Sequence, residues 1–314
     1  EAAWKSAEPG LLFWDRIRTW ATAQYGGLEV QGVNVCGEVP MEPYGACNLG
    51  SLNLAAFVQA PFTPKARLDF AALEEAAMGA VRFLDAIVDL GKTRHPLRAQ
   101  RVASLRSRRI GLGVMGLADA LAMLGLPYGS DEALALAEEA LRRIKEAAYW
   151  ESARLAKGKG PFPAFDPRAH LQSPFIQALP EPLLLQVEKG LRNAALLSIA
   201  PTGSISLLAG VTSGIEPIFA LTYLRHAGGQ VYLAEHPLLK RYRQAGGKDL
   251  PDWPTAHQVD PFRRVRLQAV LQRHVDQSIS STVNLPRETP KETVEKLFLA
   301  AWKEGCKGIT VFRE

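Results

Sequence analysis

Short apolar segments alternate with long helical patterns along this 314-residue chain, and this alternation limits the possible folds more than any single residue does. Apolar residues recur at three- and four-residue spacing in the helical segments, as in amphipathic helices. Strands that alternate with helices predict an α/β fold with a mainly parallel sheet or barrel covered by helices. The predicted helices cover residues 68–90, 131–157, 261–274 and 291–303, and the predicted strands cover 194–200, 280–284 and 308–312.

Breaker and capping residues predict where the two longest helices begin and end. Gly91, with Pro96 shortly after it, predicts the end of the first helix. Ser130 or Asp131 is expected to cap the second helix. Residues 158–182 are rich in Pro, Gly and Phe, which predicts a connection across the surface.

The composition is that of a globular protein of the cytoplasm. Hydrophobic residues make up 47% and charged residues 22% of the chain. No uncharged apolar run reaches the roughly 18 residues that a membrane helix needs, and no signal-peptide pattern opens the chain. Three cysteines cannot form a disulfide framework, and the six histidines show no paired spacing, so neither a disulfide scaffold nor a metal site is predicted.

The net charge of +5 suits a ligand that carries phosphate and gives little support for a nucleic-acid polymer as partner. The densest basic patch, five arginines from Arg98 to Arg109, is interpreted as a solvated face or a connecting loop. The opening residues Glu1–Lys5 resemble the tail of a helix that ends near Pro9 and Gly10, which predicts further residues upstream.

One predicted loop contains several side chains that could take part in catalysis. Asn34, Cys36 and Glu38 place an amide, a thiol and a carboxylate on alternate residues, and Cys47 follows. In an extended backbone the first three side chains would share one face and converge on one small substrate. Gly37, Pro40, Pro43 and Gly45 predict a structured loop. Taken alone, the loop also fits a strand edge that contains one buried cysteine.

Two glycine-containing segments suggest ligand sites. Gly111–Gly116 matches the dinucleotide fingerprint G-x-G-x-x-G, but polar and basic residues precede it where a buried strand is required. We therefore favour close packing over a Rossmann-type nucleotide-binding oxidoreductase. The apolar segment 194–200 runs into Pro201, Thr202, Gly203, Ser204, Ile205 and Ser206, where a helix start would either bind an anion or be a plain Ser/Thr cap.

Six segments, in order, resemble blocks of ribonucleotide reductase large subunits. The segment Asn34–Glu38 resembles that family's finger-loop motif, and residues 44–54 resemble the stretch that carries one of its reducing cysteines. The other similar blocks are residues 109–116, 200–208, 214–217 and 302–313. The resemblance implies part of a ten-stranded α/β barrel with a central finger loop, the fold type of ribonucleotide reductases and glycyl radical enzymes.

The resemblance also implies a role for each residue of the loop. Cys36 would carry the thiyl radical that abstracts the substrate's 3′-hydrogen, Glu38 would take the 3′-hydroxyl proton, and Asn34 would hold the ribose hydroxyls. Cys47 would be one of two thiols that protonate the departing 2′-hydroxyl and become a disulfide. The segment Pro201–Ser206 would hold the substrate phosphates.

The C-terminal block indicates the cofactor. Family members that relay a radical from a separate subunit carry two adjacent tyrosines where this chain has Thr310 and Val311. Neither of these side chains can be oxidised, so the radical must arise next to Cys36. This implies the adenosylcobalamin-dependent class, and the surroundings of Cys47 favour diphosphate substrates.

The resemblance predicts that residues 1–314 are the C-terminal portion of the catalytic barrel. The second reducing cysteine, the effector site and the dimer helices would lie upstream, in the same enzyme or a second chain. A thioredoxin-type reductant and a homodimer are the other expected partners. The alternative within this family is a non-catalytic fragment of the fold. Cys306 is interpreted as a buried packing thiol.

Overall fold

Helices and strands alternate only roughly along the chain: short strands follow one another between residues 32 and 68, and helices follow one another between residues 117 and 209. A computed structural model describes residues 1–227 and 229–314. The helices are α1 (Ala2–Ser6), α2 (Trp14–Thr19), α3 (Phe70–Arg94), α4 (Arg98–Ser107), α5 (Leu117–Met123), α6 (Asp131–Lys159), α7 (Pro167–His170), α8 (Pro174–Gln177), α9 (Glu181–Lys189), α10 (Gly203–Ala209), α11 (Pro237–Gln244), α12 (Pro261–Gln272) and α13 (Lys291–Glu304), with a 3₁₀ turn at Leu54–Phe57. The strands are β1 (Leu11–Leu12), β2 (Gly32–Val33), β3 (Pro40–Met41), β4 (Asn48–Asn53), β5 (Val58–Gln59), β6 (Arg67–Leu68), β7 (Ile110–Met115), β8 (Thr222–Ala227), β9 (Gln230–Glu235), β10 (Thr282–Leu285) and β11 (Gly308–Arg313).

Parallel pairing extends through the middle of the molecule. β4 pairs with β7 in parallel, and β7 bonds on its other side to the extended residues 195–199. Those residues pair in parallel with residues 278–280, which continue into β10. β10 pairs in parallel with β11, and β1 pairs with β11 antiparallel. The fold is therefore mixed α/β, and among the strands of the described residues no closed ten-stranded barrel is seen.

The glycine motif lies inside a strand, where it allows close packing. All six residues of β7 are buried, as in parallel strands covered on both faces. A Cβ atom on Gly113 would overlap the carbonyl oxygen of Ser198, and one on Gly111 would lie 3.1 Å from the sulfur of Cys47. A helix, α4, precedes the motif. The arrangement lacks the strand that a Rossmann fingerprint requires before its first glycine.

The two longest helices, α3 and α6, pack against each other, and α3 also packs against strands β4 and β7. The Ser130 side chain caps α6 by accepting a hydrogen bond from the N–H of Ala133 at 3.1 Å. The predicted end of α3 at Gly91 is wrong, because the helix continues to Arg94. The predicted surface connection over 158–182 is only partly right: most of its residues are exposed or half-buried, but Phe162, His170 and Phe175 are buried among aromatic rings.

A smaller core lies between helices α12 and α13 and strands β10 and β11. Cys306 is fully buried in it, which confirms the interpretation of this residue as a packing thiol. No helix in residues 1–227 or 229–314 combines the length and apolar character needed to cross a membrane.

The basic patch is only partly a solvated face. Arg98 and Arg106 are exposed, but Arg108 and Arg109 are buried. The guanidinium of Arg108 lies 2.7 Å from the carboxylate of Asp85, and Arg109 makes its own buried ion pair, described below. Buried charges require partners, and these partners lie too far away in sequence for a local pattern to indicate them.

Candidate active site

Residues 34–38, here called the Cys36 turn, connect the short strands β2 and β3. The N–H of Gly37 donates to the carbonyl of Asn34 at 3.0 Å, and the N–H of Val39 donates to the Asn34 side-chain oxygen at 2.9 Å. Gly37 has φ near +78°, which favours glycine. The prediction of an extended backbone with three side chains on one face is therefore wrong, because the chain reverses here. Cys36 is exposed at the tip, whereas Glu38 is buried.

Glu38 is fixed through its backbone carbonyl. Its carbonyl accepts hydrogen bonds from the N–H of Ser278 at 3.0 Å and from the hydroxyl of Ser198 at 2.9 Å. Its Oε2 atom is buried and has no hydrogen-bond partner among the residues that the structure describes. Burial raises the pKa of the Cys36 thiol, and the negative charge of Glu38 raises it further. The turn thus places a buried carboxylate near a protonated thiol.

Residues 42–47, here called the Cys47 arm, are held by a buried ion pair. The guanidinium of Arg109 lies 2.7 Å from the carboxylate of Glu42, and both side chains are almost fully buried. Burial raises the pKa of Glu42, but the charge of Arg109 and hydrogen bonds from Arg109 and Ser107 lower it more, so the net shift is downward. Glu42 is therefore charged at neutral pH, and the pair fixes the arm to the start of β7.

Cys47 has an environment unlike that of Cys36. Its sulfur lies against Gly111 of β7. Burial, together with the charges of Asp276 and Glu38, raises the pKa of Cys47 to about 12, although the charge of Arg109 opposes the shift. The thiol is therefore protonated throughout the physiological range.

Two cavities meet at Cys36. The larger, about 940 Å³, is lined by Cys36 together with Pro201, Gly203 and Ser206. The smaller, about 230 Å³, is lined by Asn34, Cys36 and the segment 278–281. The structure therefore brings Cys36 onto one cleft with part of the Pro201–Ser206 segment. Glu38 and Cys47 lie behind the walls of these cavities rather than in them.

The segment Pro201–Ser206 ends in helix α10, as the sequence predicts. Thr202 adopts a left-handed conformation with φ near +57°, and its hydroxyl accepts a hydrogen bond from the N–H of Gly214 at 2.9 Å. Gly203, Ser204 and Ile205, the first turn of α10, are exposed. A helix leaves the N–H groups of its first turn without partners inside the helix, so these groups are available to a ligand in the cleft.

Several residues of the site could not be found from sequence. Ser198 lies 160 residues from Glu38, whose carbonyl it binds, and Ser278 lies still further along the chain. Arg109 belongs to a patch that has the composition of a solvated face. The only local signal is the apolar segment 194–200, which predicts a buried strand around Ser198 but not the orientation of the serine.

The chain is similar to known reductases over its whole length. The family model described as "Ribonucleotide reductase, barrel domain" matches residues 1–312. A protein of Mycobacterium tuberculosis named vitamin B12-dependent ribonucleoside-diphosphate reductase is 42% identical, over all of this chain and 45% of the relative. A protein of the same name from Thermoplasma acidophilum is 34% identical, over all of this chain and 41% of the relative.

A ribonucleoside-diphosphate reductase subunit alpha from Treponema pallidum is 31% identical over 85% of this chain and 30% of the relative. The chain thus spans less than half the length of these curated relatives. The family match covers nearly every residue, including both thiol-bearing segments and the segment that begins α10. The chain belongs to the ribonucleotide reductase barrel-domain family.

Proposed function

We propose that this chain forms part of an enzyme that reduces ribonucleoside diphosphates to 2′-deoxyribonucleoside diphosphates by radical chemistry. The observation that carries the proposal is the position of Cys36, exposed where two cavities meet, near the buried carboxylate of Glu38, whose Oε2 is unpartnered among the described residues. A hydrogen-abstracting thiol must reach the substrate, and a general base must lie within a side chain's length of the reacting group.

In this proposal the Cys36 turn acts on the 3′-position of the ribose. Cys36, as a thiyl radical, takes the 3′-hydrogen and later returns it, while Glu38 accepts the 3′-hydroxyl proton. Asn34 holds the ribose hydroxyls; its side-chain oxygen already fixes the turn through Val39, so its amide N–H₂ group is the part available for the substrate.

Cys47 supplies a proton and an electron to the 2′-position. Its raised pKa keeps it in the thiol form that can protonate a departing hydroxyl. Two thiols become one disulfide as the C2′–O bond breaks and water leaves, so a second cysteine is required. The family resemblance assigns it to a part of the enzyme outside residues 1–314, in the same polypeptide or a second one.

The segment Pro201–Ser206 holds the diphosphate. Its first-turn N–H groups suit an anion, and Pro201, Gly203 and Ser206 line the same cleft as Cys36. The residues proposed to bind the diphosphate are Pro201, Thr202, Gly203, Ser204, Ile205 and Ser206. A phosphate bound there extends the nucleotide along the cleft toward Cys36.

The cleft also fits the cofactor implied by the relatives' names, a vitamin B12 coenzyme. Leu207 and Phe219 line the large cleft and are 78% and 63% exposed, and Leu208 next to them is 90% exposed. A broad apolar surface of this kind suits a large flat ring system, and these three residues would hold it. When bound, adenosylcobalamin supplies a radical by homolysis of its cobalt–carbon bond. Thr310 and Val311, which also line the cleft, cannot relay a radical from elsewhere.

The proposed enzyme is larger than residues 1–314. Residues 1–314 act as the C-terminal portion of a ten-stranded barrel whose finger loop is the Cys36 turn. The remaining portion contributes the effector site and the dimer contacts. A thioredoxin-type reductant regenerates the thiols, and the reducing chemistry suits a cytoplasmic location.

The test is the Cys36→Ser variant of the complete cofactor-loaded reductase. Serine cannot form the radical, so deoxynucleotide formation falls below detection while nucleotide binding is retained. Cys306→Ser, which alters the buried packing thiol, is the control and keeps its turnover. Turnover in Cys36→Ser would contradict the assignment, and a wild-type enzyme that binds nucleotide but never reduces it would favour a non-catalytic role.

A further inference from the structure

Asp119 is a fully buried carboxylate that the proposed chemistry does not use. It lies in the first turn of α5, shortly after Gly116, the last glycine of the G-x-G-x-x-G segment. Its Oδ2 atom accepts two hydrogen bonds from Thr212, one from the backbone N–H and one from the hydroxyl, each at 2.7 Å. A buried carboxylate requires such donors, and here both come from a residue that lies 93 positions further along the chain.

Thr212 is fixed through all of its polar groups. Besides the two bonds to Asp119, its carbonyl accepts a hydrogen bond from the N–H of Gly116 at 2.8 Å. A Cβ atom on Gly116 would lie 3.2 Å from the side chain of Val211, so the glycine lets the two segments approach closely. Gly116 and Asp119 therefore anchor residues 211–214, here called the Thr212 loop.

The loop in turn holds both ends of the first turn of α10. The N–H of Gly214 donates to the hydroxyl of Thr202 at 2.9 Å. The hydroxyls of Ser213 and Ser206 lie 3.0 Å apart, and the N–H of Val211 donates to the carbonyl of Ser206 at 3.0 Å. The left-handed conformation of Thr202 is unfavourable for a residue with a side chain, so it depends on such contacts.

Asp119 lies directly behind the wall of the large cleft. Its Oδ1 atom is 3.8 Å from Nδ1 of His236, and both His236 and Thr212 line the cleft. Asp119 itself is not among the residues that line it. The carboxylate can therefore affect a bound nucleotide only through the residues that it holds.

We propose that Asp119 is a positioning residue that sets the affinity of the diphosphate site by holding the Thr212 loop against the first turn of α10. The inference rests on the proposed function. N–H groups bind an anion strongly only where they lie at hydrogen-bond distance and in line with it, and a support that is itself fixed by several bonds keeps them there. The G-x-G-x-x-G segment thus serves the nucleotide indirectly, because it anchors the loop that supports the phosphate-binding segment.

The test compares Asp119→Leu with Asp119→Asn in the complete reductase. Leu has a similar size but accepts no hydrogen bond. Asn keeps one side-chain oxygen, which suffices for both donors of Thr212 because Oδ2 alone accepts them. Ser152→Ala is the control, since Ser152 is equally buried, donates to the side-chain oxygen of Asn193 at 2.9 Å and lines neither cavity at Cys36.

The dissociation constant of cytidine diphosphate, measured by titration calorimetry, should rise about tenfold in Asp119→Leu, because the charge-assisted bonds to the phosphates weaken. It should stay close to the wild-type value in Asp119→Asn and in Ser152→Ala. In Asp119→Leu the KM should rise while kcat at saturating substrate is retained, since the reacting groups are untouched. An unchanged dissociation constant in Asp119→Leu would overturn the proposal, as would an equal rise in Asp119→Asn or in Ser152→Ala.

Thr212→Val is a second variant that keeps the proposal testable if Asp119→Leu does not fold. Valine retains the shape of threonine and removes one of the two donors to Asp119, so cytidine diphosphate should bind about threefold more weakly. Thr212→Ser keeps the hydroxyl and should bind as the wild type does, and unchanged binding in Thr212→Val would reject the proposal. A wild-type enzyme that fails to bind cytidine diphosphate would instead contradict the proposed function, so the two failures are distinguishable.

Discussion

The Cys36 turn and the Cys47 arm lie on either side of strand β3, yet they are stabilised in different ways. The turn is held by short-range bonds, from Gly37 and Val39 to Asn34, and leaves its thiol exposed. The arm is held by a buried ion pair and places its thiol against β7. Bonds between neighbouring residues are therefore enough to position a thiol that must contact the substrate, whereas a thiol that must stay protonated depends on residues distant in sequence.

The largest expected effect concerns the anchor of the arm. Arg109→Met leaves the Glu42 carboxylate buried without its cation, which should lower the free energy of unfolding by about 3–5 kcal/mol. The stabilisation from Glu42, whose pKa is lowered on folding, is present above its unfolded value and is lost as the pH falls. Urea unfolding at pH 7 and at pH 4 measures both effects, and the difference between variant and wild type should shrink at the lower pH.

Arg98→Met is the matched control for this experiment. Arg98 belongs to the same basic patch but is exposed, so its removal should change stability by no more than about 0.5 kcal/mol. Equal losses in the two variants would show that the arm is not anchored by the buried pair.

A second expected difference separates the thiols themselves. At pH 9 Cys36 should react with iodoacetamide about 100-fold faster than Cys47, because the thiolate reacts and Cys47, with a pKa of about 12, is almost wholly protonated. The rate at Cys47 should continue to rise between pH 9 and pH 11. Cys306, buried and with its pKa raised to about 12, is the internal reference and should also react slowly. Equal rates at Cys36 and Cys47 would contradict the difference between the environments of the Cys36 turn and the Cys47 arm.

The smallest expected effect concerns the anchor of the turn. Asn34→Ala removes the acceptor of the Val39 N–H, which should cost about 1 kcal/mol of stability. Asn34→Asp keeps a side-chain oxygen and should recover most of that loss. Thermal unfolding of the two variants provides the measurement, and a loss as large as that of Arg109→Met would mean that the turn, like the arm, depends on more than local bonds.

Much of the fold could be predicted because it depends on local periodicity. The helices at 70–94 and 131–159 have apolar faces that the spacing of Leu and Ala reveals, and Ser130 caps the second as expected. The end of α3 was predicted wrongly because Gly91 only lowers helix propensity by about 1 kcal/mol, and packing of the rest of the helix outweighs that cost. The burial of Phe162 and Phe175 was missed because proline-rich segments carry no periodicity.

Sequence patterns were enough to predict the longest helices, the buried strand around Ser198 and the family to which the chain belongs, because each depends on residues close together in the chain or on matching blocks. Three contacts became visible only in the folded chain: Gly111 makes room for Cys47, Arg109 is buried with Glu42, and Ser198 and Ser278 hold the backbone of Glu38. Those contacts join residues that are distant in sequence, and no local pattern of residue types records which of them will meet.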